Sequence, residues 1–211
     1  MKRTIICGVI LMILLAALTG CSGTKPPANE AAAPGGNAGT PAAAPAETPG
    51  SNVSIPTDAK VENAYLTARE AYNWFNFGTM PTDSSDWKDA GDYRFERVVH
   101  EQIETFADLE FYLNTIFTKK FTNEILSGDH LYSDIDGKLY AVAADRGSDI
   151  LKGDERAEII RESDRKIIYR ITVDVLDEPE GSVVDTEVFD FVYAVEDGGG
   201  QWLFHNFESV R

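Results

Sequence analysis

The chain has 211 residues, with 35 Asp and Glu against 19 Lys and Arg, a formal net charge of −16. A charge of that sign repels phosphate backbones and anionic headgroups, so a nucleic-acid partner is not expected. It suits a basic protein partner, a cationic ligand or plain solubility. The two cysteines are Cys7 and Cys21, so the chain beyond residue 21 has no disulfide, no thiol nucleophile and no cysteine metal site.

Lys2 and Arg3 precede an apolar run from Ile5 to Leu18, and Leu18-Thr19-Gly20-Cys21 closes it. A basic start, an apolar stretch and small residues before a cleavage point make a secretory signal. Cysteine directly after the small residues makes the cleavage point a lipobox. The run of about fourteen residues is shorter than the roughly 20 that a spanning helix needs. The expected product is a lipoprotein, cut before Cys21, its thiol diacylated (palmitate-type chains). It would be held on the outer face of the cell membrane, since two or more acyl chains anchor stably where one does not. Cys7 leaves with the signal. Loss of Lys2 and Arg3 makes the mature chain two charges more negative.

Residues 22–57 are mainly Ala, Pro, Gly, Thr, Ser and Asn. Such a tract buries too little surface to offset its ordering entropy, so a disordered tether is expected. The division is then 1–20 signal peptide, 21–57 lipidated cysteine and linker, and 58–211 a single folded domain.

Val61, Ala64, Tyr65, Ala68, Tyr72 and Phe75 recur at helical spacing, with Thr57 or Asp58 as cap and Gly78 as stop. Met80 to Asp92 is polar and turn-rich, with Trp87 its one large side chain, and reads as a loop. Tyr93 to Val99 alternates as a short strand. Thr105 caps a second helix with Asp108 three residues on, a capping-box variant. Phe106, Leu109, Leu113, Ile116 and Phe117 are its apolar stripe. A third helix starts at Thr118 or Thr122 and ends by Gly128.

Beyond this the period becomes two. Leu139 to Ala143 is a strand entered through the turn Asp136-Gly137. Ala157–Glu162 and Lys166–Val175 form a hairpin around Ser163-Asp164, and Ile167, Tyr169, Ile171, Val173 and Val175 share a face. Glu178-Pro179-Glu180-Gly181 turns into a strand with Phe189, Phe191, Tyr193 and Val195 on one face. Gly198–Gly200 leads to a last strand, Trp202 to Ser209. Helices first and antiparallel strands afterwards give an α+β fold, with a curved sheet around the first helix in cystatin- or NTF2-like outline.

Asp134-x-Asp136-Gly137 looks like half of a calcium loop, but it lacks a third spaced oxygen ligand and a closing glutamate. Asp-Gly as a plain turn explains it better, and no metal or other cofactor is expected. In Asp145-Arg146-Gly147-Ser148-Asp149 two carboxylates flank one arginine and could hold it rigidly. The segment is either an arginine pinning its own loop to the sheet or a rigid recognition loop. His100, His130 and His205 are scattered and lack ligand spacing. Trp74 and Trp202 fall on core stripes, whereas Trp87 is the exposed-aromatic candidate for an interface anchor. No nucleophile, zinc or phosphate-loop motif occurs, so no enzyme is expected. His205 with Asp190 is the one acid–base pair worth testing.

The segment Phe106–Ile150 resembles the IseA-type inhibitors of D,L-endopeptidases. The likeness lies in the helix ending Ile116-Phe117-Thr118, in Phe121-Thr122-x-Glu124, in Tyr132-x-x-Ile135-Asp136-Gly137-Lys138-Leu139-Tyr140, and in Ala144-Asp145-Arg146-Gly147-Ser148-Asp149. It implies a non-enzymatic protein that binds the catalytic domain of an NlpC/P60-type peptidoglycan hydrolase and blocks its groove. The partner-binding residues would be Asp134, Asp136, Asp145, Arg146, Ser148, Asp149 and Trp87. The lipobox and long linker set this chain apart from the secreted type. The competing expectation is a small-ligand- or ion-binding lipoprotein with a pocket between helix and sheet.

Overall fold

The computed structural model describes residues 53–128 and 131–211. The expected signal, Cys21 and most of the expected linker lie outside the described residues, as does His130.

Helix α1 (Asp58–Asn76) opens after Thr57, whose side chain makes no capping bond, and closes at Phe77. Its apolar spacing buries Val61, Tyr65, Ala68, Ala71, Trp74 and Phe75. Strand β1 (Thr82–Ala90) follows where a loop was expected. Sequence period is silent there because its side chains are polar and mostly exposed. The strand exists through its partner. Gly91, at φ 62, starts a two-residue turn that folds Ala90 back onto Tyr93 of β2 (Tyr93–Val98). The pairing is interrupted between Asp83 and Trp87.

Helix α2 (Phe106–Asn114) has a full capping box: Thr105 Oγ1 accepts from Asp108 N–H, and the Asp108 carboxylate accepts from Thr105 N–H. Helix α3 (Lys119–Gly128) follows, then β3 (Tyr132–Ile135) and β4 (Lys138–Ala141). The sheet order is β1-β2-β4-β3. β3 was also not foreseen; four residues are too few to show a period.

The second sheet is β5 (Lys152–Ser163), β6 (Lys166–Leu176), β7 (Val183–Val195) and β8 (Trp202–Phe204), paired in chain order. Both sheets are antiparallel, which gives the α+β class. The strands thus divide over two open sheets instead of wrapping as one around α1. β8 ends at Phe204, five residues before the expected end, because the chain leaves the β7 ladder after His205 N–H bonds Val192 O.

One cluster of buried side chains joins α1, α2 and both sheets. Its aromatic centre stacks Tyr65 on Tyr169 at 4.3 Å and Phe191 on Phe207 at 4.5 Å. Phe204 N–H bonds Ile116 O and Thr118 N–H bonds Phe204 O, tying the α2–α3 turn to β8. Residues 53–57, assigned to the linker by composition, pack on this body. Pro56 is buried, Trp202 Nε1 donates to Ser54 O, and Arg161 donates to Pro56 O and to the Asp58 carboxylate.

Candidate functional site

The segment Val142–Ile150 leaves β4 and crosses the C-terminal end of α1. Two backbone bonds clasp it there. Thr79 N–H donates to Ala144 O at 3.0 Å and Arg146 N–H donates to Phe77 O at 2.6 Å, which sets Gly78 opposite Asp145 in an isolated antiparallel bridge. Thr79 Oγ1 adds a bond to Val142 O. Gly78 lets the loop come this close, since a Cβ on it would lie 3.1 Å from Ala144 O and push the loop back by a few tenths of an ångström. Gly147 turns the chain at φ 70.

The flanking carboxylates do not hold Arg146, contrary to expectation. Asp145 Oδ1 accepts from Gly147 N–H at 3.1 Å, and Asp149 Oδ1 accepts from Leu151 N–H at 3.0 Å. Each aspartate caps the backbone two residues ahead of it, a bond shorter in reach than one to a long guanidinium stem. Asp145, Arg146, Ser148 and Asp149 are all exposed. The result is a loop with a fixed backbone and an outward acidic surface.

Arg146 lines a cleft of about 560 Å³ between α1, α3 and the tip of the β1–β2 hairpin. Tyr72, Phe75 and Phe121 form its walls, Tyr93 stands at the hairpin tip, and Asn76 and Glu124 are its other polar groups. On the far side of the loop, Asp145 and Ser148 border a smaller hollow with Arg69 and Arg211, both of which pair with Glu155.

The remaining expected residues lie elsewhere. Asp134 and Asp136 sit at the β3–β4 turn, at the end of β4 opposite the loop. Asp136 (φ 56) and Gly137 (φ 72) form that turn, and Asp134 Oδ1 accepts from Gly137 N–H. Both aspartates serve the turn, and no cluster of metal-ligating side chains occurs among the described residues. Trp87 is on edge strand β1, not in a loop. Its exposed ring is covered on one face by the Arg94 guanidinium at 4.6 Å. Sequence reading missed Tyr93 as a surface residue, since alternation placed it on a strand without showing that the strand ends in solvent.

His205 and Asp190 do not form a pair. Asp190 takes a two-pronged bond from Arg170, both arms at 2.7 Å, which holds its carboxyl below the usual range. His100 packs edge-on against Trp74 and Tyr112.

Among curated proteins none matches this chain significantly. The family model described as IseA DL-endopeptidase inhibitor matches residues 56–208, which takes in both sheets, all three helices and the clasped loop. The chain belongs to the IseA DL-endopeptidase inhibitor family.

Proposed function

We propose that this protein is a non-enzymatic inhibitor of cell-wall D,L-endopeptidases of the NlpC/P60 type, held at the outer face of the membrane by acyl chains on Cys21. The family membership supports the inhibitor reading. The order Lys2-Arg3, apolar run, Leu18-Thr19-Gly20-Cys21 supports the anchor.

The observation that carries the site is the clasped loop 144–149. An inhibitor that enters a hydrolase groove must keep its shape there, since ordering a free loop on binding costs affinity. Here the backbone is already bonded to Phe77 and Thr79, while the four polar side chains face solvent. Its carboxylates would steer the loop toward a basic rim and raise the association rate and specificity more than the affinity. The arrangement needs no chemistry of its own. It occupies the groove and withholds the substrate.

The test is cleavage of a muropeptide by an NlpC/P60 catalytic domain with and without the purified protein. Inhibition at micromolar protein is the expected result. In Asp145→Asn with Asp149→Asn the Oδ1 caps are kept and both charges are lost, so weaker inhibition with an unchanged melting temperature assigns the effect to charge. Full activity of every endopeptidase domain from the same source at that concentration would overturn the reading.

A further inference from the structure

Arg146 stands out among the arginines. The others among the described residues each reach a carboxylate, a carbonyl or a ring: Arg97 bonds Leu139 O, Arg156 bonds Asp174, and Arg165 bonds Glu196 O, for example. Among the described residues the Arg146 guanidinium has no hydrogen bond, ion pair or ring contact. Its backbone is fixed by the bond from its N–H to Phe77 O. The backbone beneath the cation is therefore fixed and the guanidinium is left open, on the rim of the cleft of about 560 Å³.

We propose that this cleft binds a short peptide with a free carboxylate, with Arg146 as the anchor for that carboxylate. The charge selects an anion, and a guanidinium fork suits a carboxylate in two-pronged geometry. Tyr72, Phe75 and Phe121 give apolar walls for a side chain beside it, and Tyr93 closes the rim. A volume of about 560 Å³ lies in the range of small-ligand sites and holds two or three residues. Glu124 and Asn76 on the same walls decide between a peptide and a simple fatty acid. Asn76 Nδ2 already donates to Tyr72 O and Glu124 pairs with Lys120, so their remaining acceptor oxygens are what peptide N–H groups satisfy, whereas an alkyl chain would cover those oxygens without a donor. The site shares Arg146 with the loop of the endopeptidase reading but does not rest on that reading. It needs no enzyme, and its ligand enters from the side of the loop away from Asp145 and Ser148.

The full mature protein is titrated with the tripeptide Ala-Phe-Glu, followed by calorimetry and by amide shifts in a proton–nitrogen correlation spectrum. Shifts confined to residues around Tyr72, Tyr93, Phe121 and Arg146 are expected, with saturation below about 10 mM, as for a weak ligand. Arg146→Gln should weaken binding roughly tenfold, the value of one charge-assisted contact, and Arg146→Lys should lose less. The Gln variant keeps the backbone bond to Phe77, and an unchanged spectrum away from the cleft confirms the fold. The peptide amidated on both carboxyl groups should bind at least as poorly. Equal affinity of Arg146→Gln and wild type, or shifts outside the cleft, overturns the proposal. Octanoate binding as tightly as the peptide overturns the peptide assignment. Endopeptidase inhibition is measured apart, so its failure leaves these outcomes readable.

Discussion

Gly78 and Gly147 hold the two sides of one backbone clasp. At Gly147 an added Cβ meets nothing within 4 Å, so the cost of Gly147→Ala is conformational, because φ 70 lies in the left-handed region. It should lower stability by about 1 kcal/mol in urea unfolding and speed amide exchange in the loop more than in α1. Tyr65 offers a second test. Its hydroxyl is buried without a hydrogen-bond partner, and burial pushes its pKa up to about 12. The unfolded chain releases this proton near its ordinary value of 10.0, before the folded protein does. The folded state then binds more protons between pH 10 and 12, so its stability falls as pH rises through that window. Tyr65→Phe should remove up to roughly 2–3 kcal/mol of that alkaline fall, at about 1.4 kcal/mol per pKa unit. Stability curves at pH 8 and pH 11.5 check it. A steeper alkaline fall in Tyr65→Phe would contradict the assignment.

At the scale of elements, sequence and structure agree where a local rule speaks. Thr105 and Asp108 are three apart before an apolar stripe, and they form the cap that this spacing predicts. Thr105→Ala should cost about 1 kcal/mol of stability in thermal or urea melts. Asp108 is held below the usual carboxylate range by Thr105 and Glu104, so its stabilisation is present at neutral pH and fades as pH falls below about 4. The α1 stripe, the Asp136-Gly137 turn and the alternating residues of β6 and β7 were legible for the same reason. β1 was not. Thr82–Ala90 has no alternation, and its strand geometry comes from hydrogen bonds to β2 and from the Gly91-Asp92 turn. Nor was the direction of Arg146 legible: its neighbours' carboxylates could bond either it or the backbone, and only the loop's shape decides.

On the scale of the molecule, α1 links two ends with different tasks. Its first turn is tied through Pro56 and Asp58 to Arg161, and its last turn to the loop through Phe77 and Gly78. Nineteen residues at 1.5 Å each separate these ends by about 28 Å. The chain enters from residue 53 at one end, and the loop stands at the other. A tether raises the local concentration of such a binder without a new contact. Association with the endopeptidase should be electrostatic in its rate. Raising salt from about 0.05 M to about 0.5 M should slow association at least about tenfold and change dissociation little, in stopped-flow or surface-binding kinetics. A salt-independent association rate would remove charge steering from the mechanism.

The order of residues alone settled the helices, the β6–β7 pairing pattern, the acidic balance and the likeness to the inhibitor family, because each is carried by spacing within a few positions. It also carries the expectation of an anchor at Cys21, through the same kind of local order. Tertiary structure decided the rest. It split the strands over two sheets, made a strand of Thr82–Ala90, turned Asp145 and Asp149 onto their own backbone and left Arg146 open over a cleft. These outcomes depend on groups far apart in the chain, such as Phe77 with Arg146 or Tyr93 with Phe121, and no periodicity records which distant groups will meet.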